Sequence, residues 1–153
     1  MEYELGSAMP NKQSIDWIRR VYRENGELPS SRLALMALHR KLDLTCQAFE
    51  ELADVARRDT GHGIPLHPDA SEPSPDFPGG MVTVAESGIQ SFDRNGVYAE
   101  VADAIQTYLA DRYRVLWPLC PLHGTGLHAV VHEGHAVWWC NTGDHEGRAL
   151  RTL

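Results

Sequence analysis

The chain has 153 residues, 42% of them hydrophobic and 23% charged, which indicates one globular domain or a small domain with an appended module. Its longest apolar run, residues 33–38, has six residues, against the roughly 20 that a membrane helix needs, so no membrane-spanning helix and no membrane partner are predicted. The net charge of −7 disfavours general nucleic-acid binding, because neutralised phosphates supply most of that affinity.

The N-terminus and the cysteines predict an intracellular protein. Residues 1–10, MEYELGSAMP, are acidic and lack the apolar stretch of a secretory signal, so they are interpreted as a tail or a cloning remnant. Three cysteines, an odd number, argue against a disulfide framework. Cys46 is interpreted as a buried structural thiol. We therefore expect a reducing, cytoplasmic setting.

Residues 11–59 are predicted to form an N-terminal three-helix bundle. Apolar residues recur at helical spacing over 14–25, over 30–42 and over 44–58, which indicates three amphipathic helices. Thr45 is the expected N-cap of the third helix.

The middle of the chain combines a region without helical propensity and one long helix. Residues 60–80 hold five of the nine prolines and four glycines, a composition typical of a linker or mobile loop. Within residues 81–116, the stretch 81–85 predicts a short strand. The stretch 95–115 keeps one apolar face throughout and predicts a long central helix.

Residues 117–153 are predicted to contain a β-hairpin. The sequence HAVVHEGHAVWW is nearly symmetric about Glu133-Gly134, and two β-rich runs separated by two residues ending in Gly favour a tight turn. With that turn, the expected cross-strand pairs are His132 with His135, Val130 with Val137, and His128 with Trp139. Trp138 and Trp139 then point to opposite faces. One of them is expected to cover the core, and the other to be exposed or docked on the rest of the chain, with Trp117 as its candidate neighbour.

The hairpin lies between two short motifs of metal-ligating residues. The sequence CPLHG at 120–124 resembles the first knuckle of a zinc ribbon, with His123 in the place of the second cysteine. In that family two knuckles at the ends of a hairpin arm bind one tetrahedral zinc ion. The resemblance covers about the last 35 residues and implies Cys120 and His123 as ligands of the first knuckle and Cys140 as a ligand of the second.

The fourth ligand departs from the family pattern. A zinc ribbon would place cysteine at 143, where this chain has Gly143, so His145 is the expected ligand at Cys-x4-His spacing. Two thiolates and two imidazoles are a standard structural zinc set. The substitutes are His128, His132 and His135, which otherwise line an exposed hairpin face. The alternative for the cross-strand pair His132 and His135 is a second, weaker metal site. Asp144 is interpreted as the group that orients the His145 ring.

Residues 38–61 loosely resemble the two-helix core of a helix-turn-helix, with Asp43 in the place of the usual turn glycine. The second helix carries acidic residues, Glu50 and Glu51 among them, which repel DNA phosphates. The basic residues available for phosphate contacts are Arg19, Arg20, Arg23, Arg40 and Lys41.

The sequence thus predicts an α+β protein with a three-helix bundle, a long central helix and a zinc-ribbon-like hairpin. The leading hypothesis is a non-catalytic zinc-binding adaptor or regulatory module, with structural Zn²⁺ and a protein partner. The first alternative is a DNA-binding regulator that uses the basic N-terminal helices. The second is a small zinc hydrolase, which would need an open metal position and a base beside it.

Overall fold

The structure is a computed structural model that describes residues 12–76 and 79–150. It confirms the α+β class: three helices accompany two three-stranded antiparallel sheets. The tail at residues 1–10 lies outside the described residues. The helices are α1 (Lys12–Asn25), α2 (Ser30–Thr60) and α3 (Arg94–Tyr113). The first sheet contains β1 (Asp69–Ser71), β2 (Met81–Val84) and β3 (Ser87–Gly88), and the second contains β4 (His128–His132), β5 (His135–Cys140) and β6 (His145–Ala149).

The helix break predicted near Asp43 is wrong, because α2 is one helix of 31 residues. Its buried stripe continues through the expected turn, from Leu38 to Leu44 and Ala48, and neither Gly nor Pro interrupts it. Thr45 is no N-cap; its hydroxyl donates to the carbonyl of Lys41 at 2.7 Å inside the helix. The third helix of the fold is α3, and the turn of a helix-turn-helix is absent from residues 30–60.

The end of α2 and the start of α3 have recognisable caps. Gly61 ends α2 in the left-handed conformation, with φ of 77°, and its amide donates to the Arg57 carbonyl at 2.9 Å. Asp93 begins α3, and its carboxylate accepts from the Gly96 amide at 3.1 Å. The cysteine on α2, Cys46, is exposed, so its interpretation as a buried thiol is also wrong.

The Pro/Gly-rich segment is partly paired. The strand β1 lies within it and is antiparallel to β2, whose position confirms the strand predicted at 81–85. The helix α3 likewise confirms the long central helix. One contiguous cluster of buried residues includes Leu52 of α2, Ile105 of α3 and Trp138 of β5. The second sheet therefore shares a core with the helices, and that core sets its position.

A polar contact also ties the end of α2 to the second sheet. The Asp59 carboxylate accepts from the Trp117 indole Nε1–H and from Arg148 Nη2, each at 3.0 Å. The hydrogen bond from Trp117, together with the Arg148 guanidinium, outweighs partial burial and lowers the pKa of Asp59. One carboxylate thus links three segments that are distant in the sequence.

Asp59→Ala is expected to lower the free energy of unfolding by about 1 kcal/mol at neutral pH, the usual scale for hydrogen bonds to a half-exposed charge. Since the folded pKa is lowered, this stabilisation is present above the ordinary carboxyl range and is lost as the pH falls through the folded pKa. Urea unfolding across that range measures the difference. Asp54→Ala is the matched control, because within residues 12–76 and 79–150 Asp54 pairs only with Arg57 and Arg58 of its own helix. Equal losses in both variants would contradict the link.

Candidate metal centre

The first half of the centre is a tight loop before β4. The Cys120 amide donates to the Thr125 carbonyl, and the Gly124 amide donates back to the Cys120 carbonyl, each at 2.8 Å. Gly124 has φ of 69°, a left-handed conformation that glycine adopts without steric cost. This loop closes over three residues and places the side chains of Cys120 and His123 together, with Sγ and Nδ1 3.4 Å apart.

The second half is the turn between β5 and β6. Cys140 ends β5, His145 begins β6, and the two residues are cross-strand partners. Asp144 adopts a positive φ of 51° in this turn. The Gly143 amide points at the Cys140 sulfur, with N and Sγ 3.4 Å apart. The strand β6 was not predicted, and it is what brings His145 back beside Cys140.

The structure brings Cys120, His123, Cys140 and His145 together, with their ligand atoms all within 4.8 Å of one another. His123 Nδ1 lies 3.4 Å from Cys140 Sγ and 3.4 Å from His145 Nε2, and His145 Nε2 lies 3.6 Å from Cys120 Sγ. A zinc ion with ordinary bond lengths has tetrahedral edges of about 3.4 Å between two nitrogens and about 3.5 Å between nitrogen and sulfur. Four of the six distances between the donor atoms therefore match the edges of a tetrahedral site.

The tautomer of His145 is set by a backbone carbonyl. Its Nδ1 lies 2.8 Å from the Glu146 carbonyl oxygen, so Nδ1 carries the proton and donates it. The lone pair is then on Nε2, the atom that faces the other three ligands. Metal-bound histidines usually have such a partner. The sequence suggested Asp144 as the group that orients the His145 ring, but the backbone carbonyl of Glu146 has this role.

The packing around Gly143 explains why this position has no side chain. A Cβ built on Gly143 would lie 2.6 Å from Cδ2 of His145 and closer still to Cε1 of His123. The two imidazole rings occupy the space that a side chain at 143 would need. Where a zinc ribbon has two cysteines, this chain has His123 and His145. Their larger rings fill the space beside residue 143, so glycine fits there and the fourth ligand comes two residues later, at Cys-x4-His spacing.

Both sulfurs are inside the protein and both imidazoles are nearer the surface. Cys120 is 1% exposed and Cys140 is 0% exposed, whereas His123 is exposed and His145 is half-buried. Burial alone would raise the pKa of Cys140, but the Gly143 amide, Cys120 and His123 outweigh it and lower that pKa to about 7. A thiol with this pKa is readily deprotonated, as a metal ligand must be.

The hairpin has the predicted register, with His132 opposite His135 and His128 opposite Trp139. Glu133 and Gly134 both have positive φ, 50° and 78°, as a type I′ turn requires. His128, His132 and His135 are exposed and lie outside the group of four. The ring of His132 packs on Trp139, with centroids 4.6 Å apart. Within the described residues, the group of four is the one set of at least three His, Cys, Asp or Glu residues with ligand spacing.

The inward side of the sheet holds the centre against the helices. Trp138 is buried and meets Trp117 edge to face, with centroids 5.3 Å apart, so Trp117 neighbours the inward-facing tryptophan and not the other one. Gln106 of α3 donates from Nε2 to the carbonyls of Trp117 at 3.0 Å and Leu127 at 2.7 Å. These carbonyls flank the first ligand loop, so Gln106 fixes both of its ends. No motif in the sequence pointed to Gln106.

Gln106→Ala is expected to cost about 1–2 kcal/mol of unfolding free energy, because two carbonyls lose their donor in a partly buried place. The loss should appear as faster amide hydrogen exchange of residues 118–127, measured by mass spectrometry. Thr107→Ala is the control, since the one hydrogen bond of the Thr107 hydroxyl to a described residue goes to the Asp103 carbonyl on the same helix. Unchanged exchange in Gln106→Ala would show that the loop keeps its shape without this side chain.

Comparison of the chain with protein-family models, with curated proteins and with solved structures finds no match. The resemblance to a zinc ribbon therefore rests on the four side chains and the sheet that carries them. None of the helices within residues 12–76 and 79–150 combines the length and hydropathy that crossing a bilayer requires.

Proposed function

We propose that Cys120, His123, Cys140 and His145 bind one Zn²⁺ ion as a closed structural site. The observation that carries this proposal is the near-tetrahedral spacing of four donor atoms from two separate turns. The donor set favours zinc, because paired thiolates and imidazoles suit a borderline-soft ion with no geometric preference of its own. The bound ion would join the loop before β4 to the turn between β5 and β6.

The same geometry favours a non-catalytic role over a zinc hydrolase. Four protein ligands complete the tetrahedron and leave no position for water or substrate. Glu133 lies in the turn at the opposite end of the hairpin, so it is unsuited to act as a base at this centre. Asp144 is exposed in the ligand turn, and the orienting bond to His145 comes from the backbone.

We further propose that the chain acts as an adaptor or regulatory module with a protein partner. Support comes from apolar side chains exposed around the first ligand loop: Leu122 is 79% exposed, Leu116 63% and Leu119 49%. A rigid loop that presents leucines to solvent suits an apolar protein surface. DNA binding has less support, because α2 continues through the expected turn and carries Glu50 and Glu51 on its exposed side.

Elemental analysis and Co²⁺ substitution test the metal site. We expect one zinc per chain, and a Co²⁺ absorption spectrum typical of tetrahedral sulfur and nitrogen coordination. Cys120→Ser and His145→Ala should lose both signals. Cys46→Ser and His135→Ala are matched controls, because both residues are exposed and lie outside the group of four. Metal-free wild-type protein, or full metal in His145→Ala, would contradict the closed four-ligand site.

The interaction proposal has its own test. Crosslinking in the native host identifies a partner, and titration of the two purified proteins measures its affinity. We expect Leu122→Asp to weaken this affinity while zinc content stays at one per chain. Ile18→Asp is the control, since Ile18 is also exposed but lies on α1. Equal affinity for wild type and Leu122→Asp would exclude the leucine surface as the docking site.

A further inference from the structure

A second cluster of functional side chains lies between α1, α2 and the loop before α3. Trp17 and Phe92 meet edge to face, with ring centroids 5.1 Å apart. The guanidinium carbon of Arg40 lies 5.8 Å from the Trp17 centroid and 5.6 Å from the Phe92 centroid. Contact with two rings restricts the Arg40 side chain to one place. Its position is therefore set before any ligand arrives.

Two more arginines are close to Arg40. Arg20 follows Trp17 by one helical turn, and Arg94 follows Phe92 by two residues, so the aromatic contact also brings these two arginines together. Burial of Arg40, and then the positive charges of Arg20 and Arg94, lower the pKa of Arg40. The charges of Arg20 and Arg94 therefore act on Arg40, and such like-charge repulsion is unfavourable without a counter-ion.

The described part of the chain supplies no counter-ion for these charges. Arg20, Arg40 and Arg94 form no ion pair or hydrogen bond with a described residue. The Nε atom of Arg40 is buried and has no hydrogen-bond partner among those residues. A half-buried guanidinium without an acceptor is costly, and proteins usually satisfy it.

Two carboxylates, Glu100 on α3 and Asp93 at its start, are engaged elsewhere. Glu100 accepts from the backbone amides of Gln90 at 2.9 Å and Ser91 at 2.8 Å. Asp93 accepts from the Gly96 amide at the start of α3. Asp16 lies one turn before Arg20 on α1 and forms no ion pair with it. Backbone amides thus engage both Glu100 and Asp93, and neither carboxylate forms an ion pair with the three arginines.

We propose that Arg20, Arg40 and Arg94 bind a phosphate monoester dianion. A guanidinium offers paired N–H donors that match two phosphate oxygens, and a monoester carries a charge of about −2 at neutral pH. Arg40 together with two neighbouring cations that act on it suits a single dianion. A nucleic-acid backbone instead has one charge per phosphate along a line, and the chain has a net charge of −7. None of the metal ligands belongs to this site.

Calorimetric titration of the full chain tests this proposal, with inorganic phosphate as the first probe. We expect saturable binding of one phosphate per chain. Arg94→Gln and Arg40→Gln should each weaken it by at least about tenfold, the scale of a lost charge-assisted hydrogen bond. Arg32→Gln is the matched control, because Arg32 is exposed on α2 and lies outside this cluster; it should change affinity by less than about twofold.

Two further probes separate the sources of a monoester. Ribose 5-phosphate stands for a small phosphorylated metabolite, and a phosphoserine peptide stands for a phosphorylated side chain; the tighter ligand identifies the source. If Arg40→Gln fails to fold by circular dichroism, Arg20→Gln and Arg94→Gln carry the test, since they lie outside the aromatic contact. Absence of saturation, an equal loss in Arg32→Gln, or tighter binding of a single-stranded oligonucleotide than of any monoester would overturn the proposal.

Discussion

Cys140→Ser is expected to abolish metal binding and to unfold the second sheet. Cys140 is fully buried at the end of β5, and a serine hydroxyl does not replace a thiolate as a zinc ligand. Binding free energies of structural zinc sites are on the order of 10 kcal/mol, and that free energy is coupled to folding. The loss should therefore exceed that of any single hydrogen bond in the molecule.

The unfolding should be local, because the helices have contacts of their own. Leu52 of α2 and Ile105 of α3 belong to the buried cluster, and neither helix supplies a metal ligand. Amide exchange should become fast in residues 118–149 and stay slow in α2 and α3. The metal chelator EDTA should produce the same pattern in the wild type. Cys46→Ser, with an exposed cysteine, should behave as the wild type does. Slow exchange throughout Cys140→Ser would show that the sheet is stable without the ion.

The hairpin could be predicted in register from the sequence. Its strands alternate with period two, and Glu133-Gly134 supports a turn with positive φ at both positions. A two-residue turn leaves one register, and that register pairs His132 with His135. The four clustered side chains could be found for the same reason, since the hairpin brings both of its ends to one place. The residues near each other in the sequence were sufficient to predict these contacts, because the hairpin turn alone determines which of them meet.

The continuous α2 could not be predicted from the same kind of pattern. Two amphipathic stretches separated by Asp43 are compatible with two helices or with one, and the expected N-cap at Thr45 favoured two. The outcome depends on which face packs on α3, and the buried residues Leu44 and Leu52 lie on that face. Tertiary packing thus decided between two local alternatives.

The contacts that position the metal centre have no sequence signal either. Asp59 meets Arg148 across 89 positions of the chain, and Gln106 meets Leu127 across 21. Single polar residues on helices are common, and nothing in their neighbourhood marks these two. The strand β6 was missed because HEGRA has little β propensity. Its pairing with β5 is supported by the turn at Gly143 and by the ligand pair that the turn connects.

Gly143→Ala is expected to reduce zinc affinity by about 100-fold, although the new side chain is a single methyl group. Its Cβ would lie within 2.6 Å of the His145 ring and closer to the His123 ring, so both imidazoles would have to move. His145 cannot rotate freely, because its Nδ1 is bonded to the Glu146 carbonyl at 2.8 Å. Disturbing groups that orient metal ligands usually costs 10- to 100-fold in affinity, and this change displaces two ligands at once.

Competition with a zinc chelator of known affinity measures this effect. Gly63→Ala is the matched control, because Gly63 lies in the loop after α2 and a Cβ there would meet nothing within 4 Å. Wild-type affinity in Gly143→Ala would mean that the imidazoles are free to shift, and the ligand geometry would then have to be set by the ion. A large loss confined to Gly143→Ala would mean that the protein sets this geometry. Gly143 would then be as necessary to the centre as His123 and His145, whose rings lie where a side chain at position 143 would be.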